Sequence, residues 1–159
     1  MSSSSDYSHL PYRPCAGMMV LNRENKVFVA KRIDTLSEHW QMPQGGIDPG
    51  EDPLEAAFRE LEEEIGTRNV AHIHSLDEWL TYDLPENLLG KLWKGKYRGQ
   101  KQKWSLFRFL GEDREINIET DHPEFSEWRW VEAEELPKLI VPFKRDIYET
   151  IVEKLRKFF

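Results

Sequence analysis

The chain has 159 residues, 39% of them apolar, with 22 Lys and Arg against 29 Asp and Glu for a formal charge of −7. That length buries a real core in one domain and leaves no room for a doubly wound unit plus a second domain. The acidic sum argues against a nucleic-acid coat protein or a DNA binder; no apolar run approaches the ~20 residues of a membrane span; and the lone Cys15 makes neither an internal disulfide nor a thiolate metal site.

In chain order, residues 1–9 read as a disordered Ser-rich tail without the basic and apolar regions of a signal peptide, so a cytoplasmic protein is expected, with one domain over 10–159. A monomer is the default. Cys15 to Leu21 and Lys26 to Arg32 are short apolar runs joined by Asn22-Arg23-Glu24-Asn25, which predicts a hairpin. Trp40 to Gly46 is expected as a loop. A helix is predicted over Pro53 to Ile65: Asp52 is the N-cap, Pro53 takes the first helical position, Glu55 completes a capping box and Gly66 terminates it. Strands are expected over about 70–75, 78–83, 103–110, 115–119 and 126–131. A short helix over 132–136 should end before Pro137, and an amphipathic helix over about 143–158 closes the chain. This order predicts a mixed sheet with helices on both faces.

The Pro53–Ile65 helix carries the chemistry. Glu60, Glu63 and Glu64 fall within an arc of about 100° beside the apolar stripe of Leu54, Ala57, Phe58, Leu61 and Ile65. A solvated acidic face is the ordinary meaning of such a cluster. Here the spacing makes the carboxylates repel one another, and they sit in the last turn, where the helix dipole prefers cations. Local rules broken together mark a functional site. A hard divalent cation removes the conflict, because carboxylate oxygens suit magnesium or manganese.

These residues also carry a resemblance. Gly45, Glu51 and Arg59-Glu60-Leu61-Glu62-Glu63-Glu64-Ile65-Gly66 match the Nudix box, G-x5-E-x7-R-E-U-x-E-E-x-G-U. Seven fixed letters coincide by chance in about 10⁻⁷ of windows if each is taken at roughly one in ten. Thr67 departs from the box, which has an aliphatic residue there. The resemblance implies a Nudix-type α/β/α sandwich of mixed sheet (α+β), a Mg2+ or Mn2+ cofactor, and hydrolysis of a phosphoanhydride. Glu60, Glu63 and Glu64 would bind metal, with the Gly45 carbonyl a further ligand. Arg59 would orient the acids, although an ordinary ion pair with Glu55 is an equal reading. Glu51 would be structural.

Outside the box the chain resembles one branch of that family. Tyr12-Arg13-Pro14, Trp40 to Gly46, Gly99-Gln100-Lys101-Gln102-Lys103-Trp104, Pro123-Glu124-Phe125, Trp128-Arg129-Trp130-Val131 and Phe143-Lys144-Arg145-Asp146 look like bacterial RNA pyrophosphohydrolases and plant diadenosine tetraphosphate hydrolases. The branch implies release of pyrophosphate from 5′-triphosphorylated RNA, or asymmetric cleavage of dinucleoside tetraphosphates to ATP and AMP. The rival readings are a housecleaning hydrolase of free nucleotides or nucleotide sugars, and a catalytically silent RNA-binding module. Glu124 becomes a candidate fourth carboxylate, as ligand or base. Phe143, beside Lys144 and Arg145, is a candidate for stacking a base and holding phosphate. Tyr82 either lines the same cleft or packs in the sheet. From Lys91 to Lys103 six cations and no acid are interleaved with Trp93 and Tyr97, which suits a polyphosphate or an RNA 5′ end. Lys101 and Lys103 are the substrate candidates there, with Arg13, Lys31 and Arg32 added to the same face. His72 and His74, without a third ligand, read as surface strand residues, and Cys15, Trp128 and Trp130 read as core.

Overall fold

One central strand explains the layering. In the computed structural model, which describes residues 9–33, 38–121 and 123–159, β1 (Tyr12–Leu21) pairs in parallel with β6 (Gly99–Phe109) and antiparallel with β2 (Val27–Arg32) and the three-residue β3 (Gln44–Gly46). Beyond these, β7 (Phe125–Val131) pairs with β2, while β4 (Val70–Ser75) and β5 (Leu80–Asp83) pair with β6. The sheet is therefore mixed, as expected. The expected tail lies, but for His9, outside the described residues.

Side chains of a strand alternate between faces, and three strands do so in phase. Ala16, Met18, Val20, Phe28, Ala30, Phe107 and Phe109 pack against α1 (Pro53–Ile65), whose Ala56, Ala57, Leu61 and Ile65 are buried. Met19, Leu21, Val27, Val29, Trp104 and Leu106 point the other way, onto Ile147, Tyr148, Ile151, Val152 and Leu155 of the C-terminal helix Arg145–Leu155. The result is an α/β/α sandwich. The expected core residues fit it: Cys15 is fully buried, and Trp128 stacks on Phe28 at 5.5 Å.

The ends of α1 follow their sequence signals. Asp52 accepts from the N–H groups of Leu54 (3.0 Å) and Glu55 (3.3 Å). Gly66 takes the left-handed conformation (φ 75°) and donates to the Glu62 carbonyl. A Cβ there would press on the Asn117 carbonyl. Thr67 is buried and its hydroxyl accepts from Asn69 N–H at 3.0 Å, so the departure from the box is absorbed locally.

Several expectations are corrected. The segment expected as a strand over 115–119 is irregular beyond the 3-10 turn Asp113–Glu115, and Asn117 N–H bonds the Ile65 carbonyl at the end of α1 instead of joining the sheet. Gln44–Gly46 is a short strand, not a loop, because its backbone continues the β1 ladder. The helical turn at 133–135 does not stop before Pro137: α2 (Leu136–Leu139) contains that proline in its first turn, where a missing N–H costs nothing. The last α-helix, α3 (Arg145–Leu155), is shorter than expected and flanked by 3-10 turns at Pro142–Lys144 and Arg156–Phe158. β6 begins at Gly99, four residues before the expected 103, and β5 at Leu80, two residues after 78. Among the described residues no helix is long and apolar enough to cross a membrane.

Candidate active site

β3 brings the glycines to the helix. Gly45 pairs with Ala16 and Gly46 with Cys15, so this backbone runs against the side of α1 that bears the acids. A Cβ at Gly45 would collide with the Glu60 carboxylate. Only glycine lets the main chain come so close.

Arg59 organises the acids. Its Nε and Nη2 form a two-pronged contact with Glu51, at 2.8 and 2.9 Å. Nη1 donates to Glu60 at 2.9 Å and Glu63 at 3.3 Å, and Nη2 also donates to the Gly46 carbonyl at 3.0 Å. A planar guanidinium fits this fork where an ammonium would not. Glu51 accepts in addition from Asp48 N–H at 3.0 Å. The Arg59 contact, followed by that N–H, draws its carboxyl down to about 2. Glu51 is thus a tether for Arg59, and Arg59 bonds Glu51, Glu60 and Glu63 where the equal sequence reading paired it with Glu55.

Glu64 is the anomaly. It is 4% exposed, and its Oε2 has no hydrogen-bond partner among the described residues. Burial first, then the charges of Glu60 and Glu124, push its carboxyl well above the ordinary range. Glu60 is raised as well, by burial and by Glu63 and Glu124, against the pull of Arg59. Glu124 reaches the cluster from the loop before β7 and pairs with Arg32 at 3.3 Å.

Two cavities meet at these acids. The first, about 410 Å³, is lined by Glu60, Glu64 and Glu124 at one end and by Arg13, Arg32, Tyr82, Phe143 and Lys144 elsewhere. The second, about 420 Å³, adds Glu63, Thr120 and Asp121 to the same acids. Tyr82 and Phe143 lie 5.9 Å apart, with the Lys144 ammonium 5.2 Å above the Tyr82 ring. Burial, and then Arg32, draw Lys144 down to about 8.

Lys101 and Lys103 do not join the cleft. Gln100, Gln102 and Trp104 alternate with them along β6. Gln102 donates to Gln44 and Gln100, and Trp104 donates to Gln102, in a row that reaches the cleft at Gln44 and Gln100. The lysines take the opposite face, 5.2 and 5.9 Å from the exposed ring of Trp79. Sequence reasoning placed them at the site because Lys91 to Lys103 reads as one basic run interleaved with aromatics. Read from 99, the two-residue period separates them. Arg98 of the same basic run pairs with Asp83 at 3.0 Å. Nor do the histidines form a metal site: His72 bonds Ser75 and His74 stacks on Phe158. The residues missed by sequence reasoning are Gln44, in the Trp40 to Gly46 segment, Gln100, in the Gly99 to Trp104 segment, and Leu92, Thr120 and Asp121, which carry no sequence signal.

A divalent cation fits these residues. The donors are hard carboxylate oxygens, one of them buried and unpartnered, and the Gly45 backbone closes against them. Among the described residues, no three His, Cys, Asp or Glu side chains already stand as a metal cage. Arg59 holds Glu60 and Glu63 by hydrogen bonds instead.

Clustered carboxylates on a helix of an α/β/α sandwich, facing a cleft walled by cations and rings, have the chemistry to take a divalent ion and a phosphorylated substrate. The NUDIX domain profile matches residues 11–151, and the chain belongs to the Nudix family. Nudix hydrolases generally need divalent metal ions. The chain is similar to RNA pyrophosphohydrolase of Pelagibacter ubique, 55% identical over 97% of this chain and 98% of that one. It is also similar to RNA pyrophosphohydrolase of Rhodospirillum rubrum, 57% identical over 94% of this chain and 90% of that one. Among solved structures, a C. elegans Ap4A hydrolase binary complex superposes with a TM-score of 0.63 at 20% identity, covering 91% of this chain and 99% of its own. The E. coli dihydroneopterin triphosphate pyrophosphohydrolase gives 0.68 at 19% identity, over 91% and 99%. These two share the fold.

Proposed function

We propose that this chain is an RNA pyrophosphohydrolase, releasing pyrophosphate from 5′-triphosphorylated RNA with Mg2+ or Mn2+. The observation that carries the reading is the cleft, with acids at one end and cations beside aromatic rings at the other. The names of the relatives at 55–57% identity support it.

Glu60, Glu63, Glu64 and Glu124, with the Gly45 carbonyl, would hold the ion. A bound divalent ion neutralises phosphate charge and acidifies water. Arg59 positions Glu60 and Glu63 through its fork. A carboxylate of the cluster takes the proton of the attacking water, Glu124 being a candidate because its loop sets it apart from the helix acids. Arg13, Arg32 and Lys144 receive phosphate charge, and Tyr82 and Phe143 stack a base.

The test is product analysis by chromatography on triphosphorylated RNA, diadenosine tetraphosphate, free triphosphates and a nucleotide sugar, with and without Mg2+. Pyrophosphate from RNA is expected only with the ion, and Glu63→Gln should lose it while keeping the fold. Cleavage of diadenosine tetraphosphate to ATP and AMP would be a second activity of the same centre. Preferred turnover of free nucleotides or nucleotide sugars would replace the reading with a housecleaning role. Binding without any product would leave a silent module.

A further inference from the structure

The turn Leu92–Gly95 is built against the preferences of its own residues. Trp93 (φ 54°, ψ 35°), Lys94 (φ 60°, ψ 26°) and Gly95 (φ 72°) stand in succession in the left-handed region. For residues with a Cβ this conformation is sterically unfavourable, and successive instances are rare. The turn is closed by Lys96 N–H on the Trp93 carbonyl at 3.2 Å, and Gly95 is required because a Cβ there would press on the Gly90 carbonyl. Core burial does not explain the strain, since Trp93 is half-exposed and outside both core clusters. Strain of this kind gathers at ligand clamps.

The turn sets the indole at the cleft. The Arg13 guanidinium lies 5.5 Å from the ring centre, Tyr97 meets the ring edge-on at 6.1 Å, and both Trp93 and Arg13 line the cavity that holds Glu60, Glu64 and Glu124. Arg13 is fixed in turn by its contact with Cys15 Sγ at 3.3 Å. A planar cation beside an indole stacks any nucleobase with little sequence preference. Trp93 contacts neither Tyr82 nor Phe143 in the ring pairs of the cleft, so the cavity has two separate aromatic surfaces. The Trp93 surface borders the box: the Arg13 guanidinium reaches Gly46, whose carbonyl binds Arg59.

We propose that Trp93 and Arg13 form a base-stacking subsite at the cleft that takes the 5′-terminal nucleobase of the RNA. This rests on the substrate reading above, because the nucleotide that carries the reacting phosphates must lie beside the box, which the Trp93 surface borders.

The test uses the full chain with Mg2+ and triphosphorylated oligonucleotides of one sequence, with either a normal or an abasic first nucleotide. Trp93→Ala should lower kcat/KM on the normal substrate by roughly tenfold, mainly through KM, from the usual worth of one stacked base. Trp93→Phe should recover most of that loss. On the abasic substrate, wild type and Trp93→Ala should be equal, the signature of two changes removing one interaction. An unchanged KM in Trp93→Ala, an equal loss on both substrates, or sensitivity only to an abasic second nucleotide would overturn the assignment. Should the alanine variant not fold, Trp93→Leu and Trp93→Phe carry the same comparison. No pyrophosphate release by wild type from the normal substrate would sink the substrate reading. Release with a loss that does not depend on the base would sink the subsite alone.

Discussion

Glu64→Gln separates what the buried carboxylate does for the fold from what it does for function. Glu64 is 4% exposed, with Oε2 unpartnered, and Glu60, Glu124 and Glu63 repel its charge against the single attraction of Arg32. A buried polar group without a partner costs ~1–3 kcal/mol, and more when charged. Glutamine keeps the volume, removes the charge and supplies an N–H2 that can donate to the neighbouring carboxylates. The metal-free variant should therefore be more stable than wild type by about 1–2 kcal/mol, or roughly 2–8 °C in Tm for a chain of this size. Thermal unfolding followed by circular dichroism, first in chelator and then with Mg2+, reads this directly. Ion at a hundred times its dissociation constant stabilises a binding protein by about 2.7 kcal/mol. Wild type should show such a gain and the variant should lose most of it, so the order of stabilities reverses between the two conditions. Pyrophosphate release should fall in the variant. A variant less stable than wild type in chelator would refute the reasoning about burial, and one stabilised by the ion as much as wild type would refute the role of Glu64 as a ligand.

Three further outcomes are expected. Tyr148→Phe removes the acceptor of the Met42 N–H, a buried 2.8 Å bond that anchors the loop before Gly45, and should lower stability by about 1–3 kcal/mol in urea or thermal unfolding; an unchanged midpoint would count against it. Lys144, held near 8, should lose its charge as pH rises through that value, so KM for triphosphorylated RNA should climb above pH 8 in wild type and stay flat in Lys144→Arg. The unfolded chain binds more protons than the folded one between about 8 and the ordinary 10.5, so this group adds stability as pH rises across that window, and a KM flat through pH 7 to 9 in wild type would contradict the assignment. Lys101→Ala with Lys103→Ala should leave kcat and KM unchanged, because both lysines lie beside Trp79 on the face away from the cleft; a rise in KM would place substrate there after all.

Features set by neighbours along the chain were legible without coordinates. The bounds of α1 follow from Asp52, Pro53 and Gly66, each acting within one turn, and the structure reproduces them. The hairpin between β1 and β2 follows from Asn22 to Asn25. The strand expected at 115–119 failed because the Asn117 N–H went to the end of α1, a partner some fifty residues away that no local pattern names, while Ile116 N–H closed the local turn on Asp113. Pro137 misled because a proline breaks a helix interior but suits a first turn, and the choice depends on where the turn begins.

The sequence by itself determined that three glutamates share one side of a buried helix, because helical period and spacing fix that arc before any packing occurs. It also determined the family, through the box letters. The tertiary structure decided which of the expected cations line the cleft: Arg13, Arg32 and Lys144 do, and Lys101 and Lys103 do not. The run Lys91 to Lys103 looks like one basic face in the sequence, yet strand alternation sends Lys101 and Lys103 behind the sheet, and Asp83 holds Arg98. Arg13, Arg32 and Lys144, far apart in the chain, meet instead across β1, β2 and the start of α3. The burial of Glu64 is likewise tertiary: its place on the helix is local, but its 4% exposure and the cavity it shares with Glu124 arise only when the chain folds.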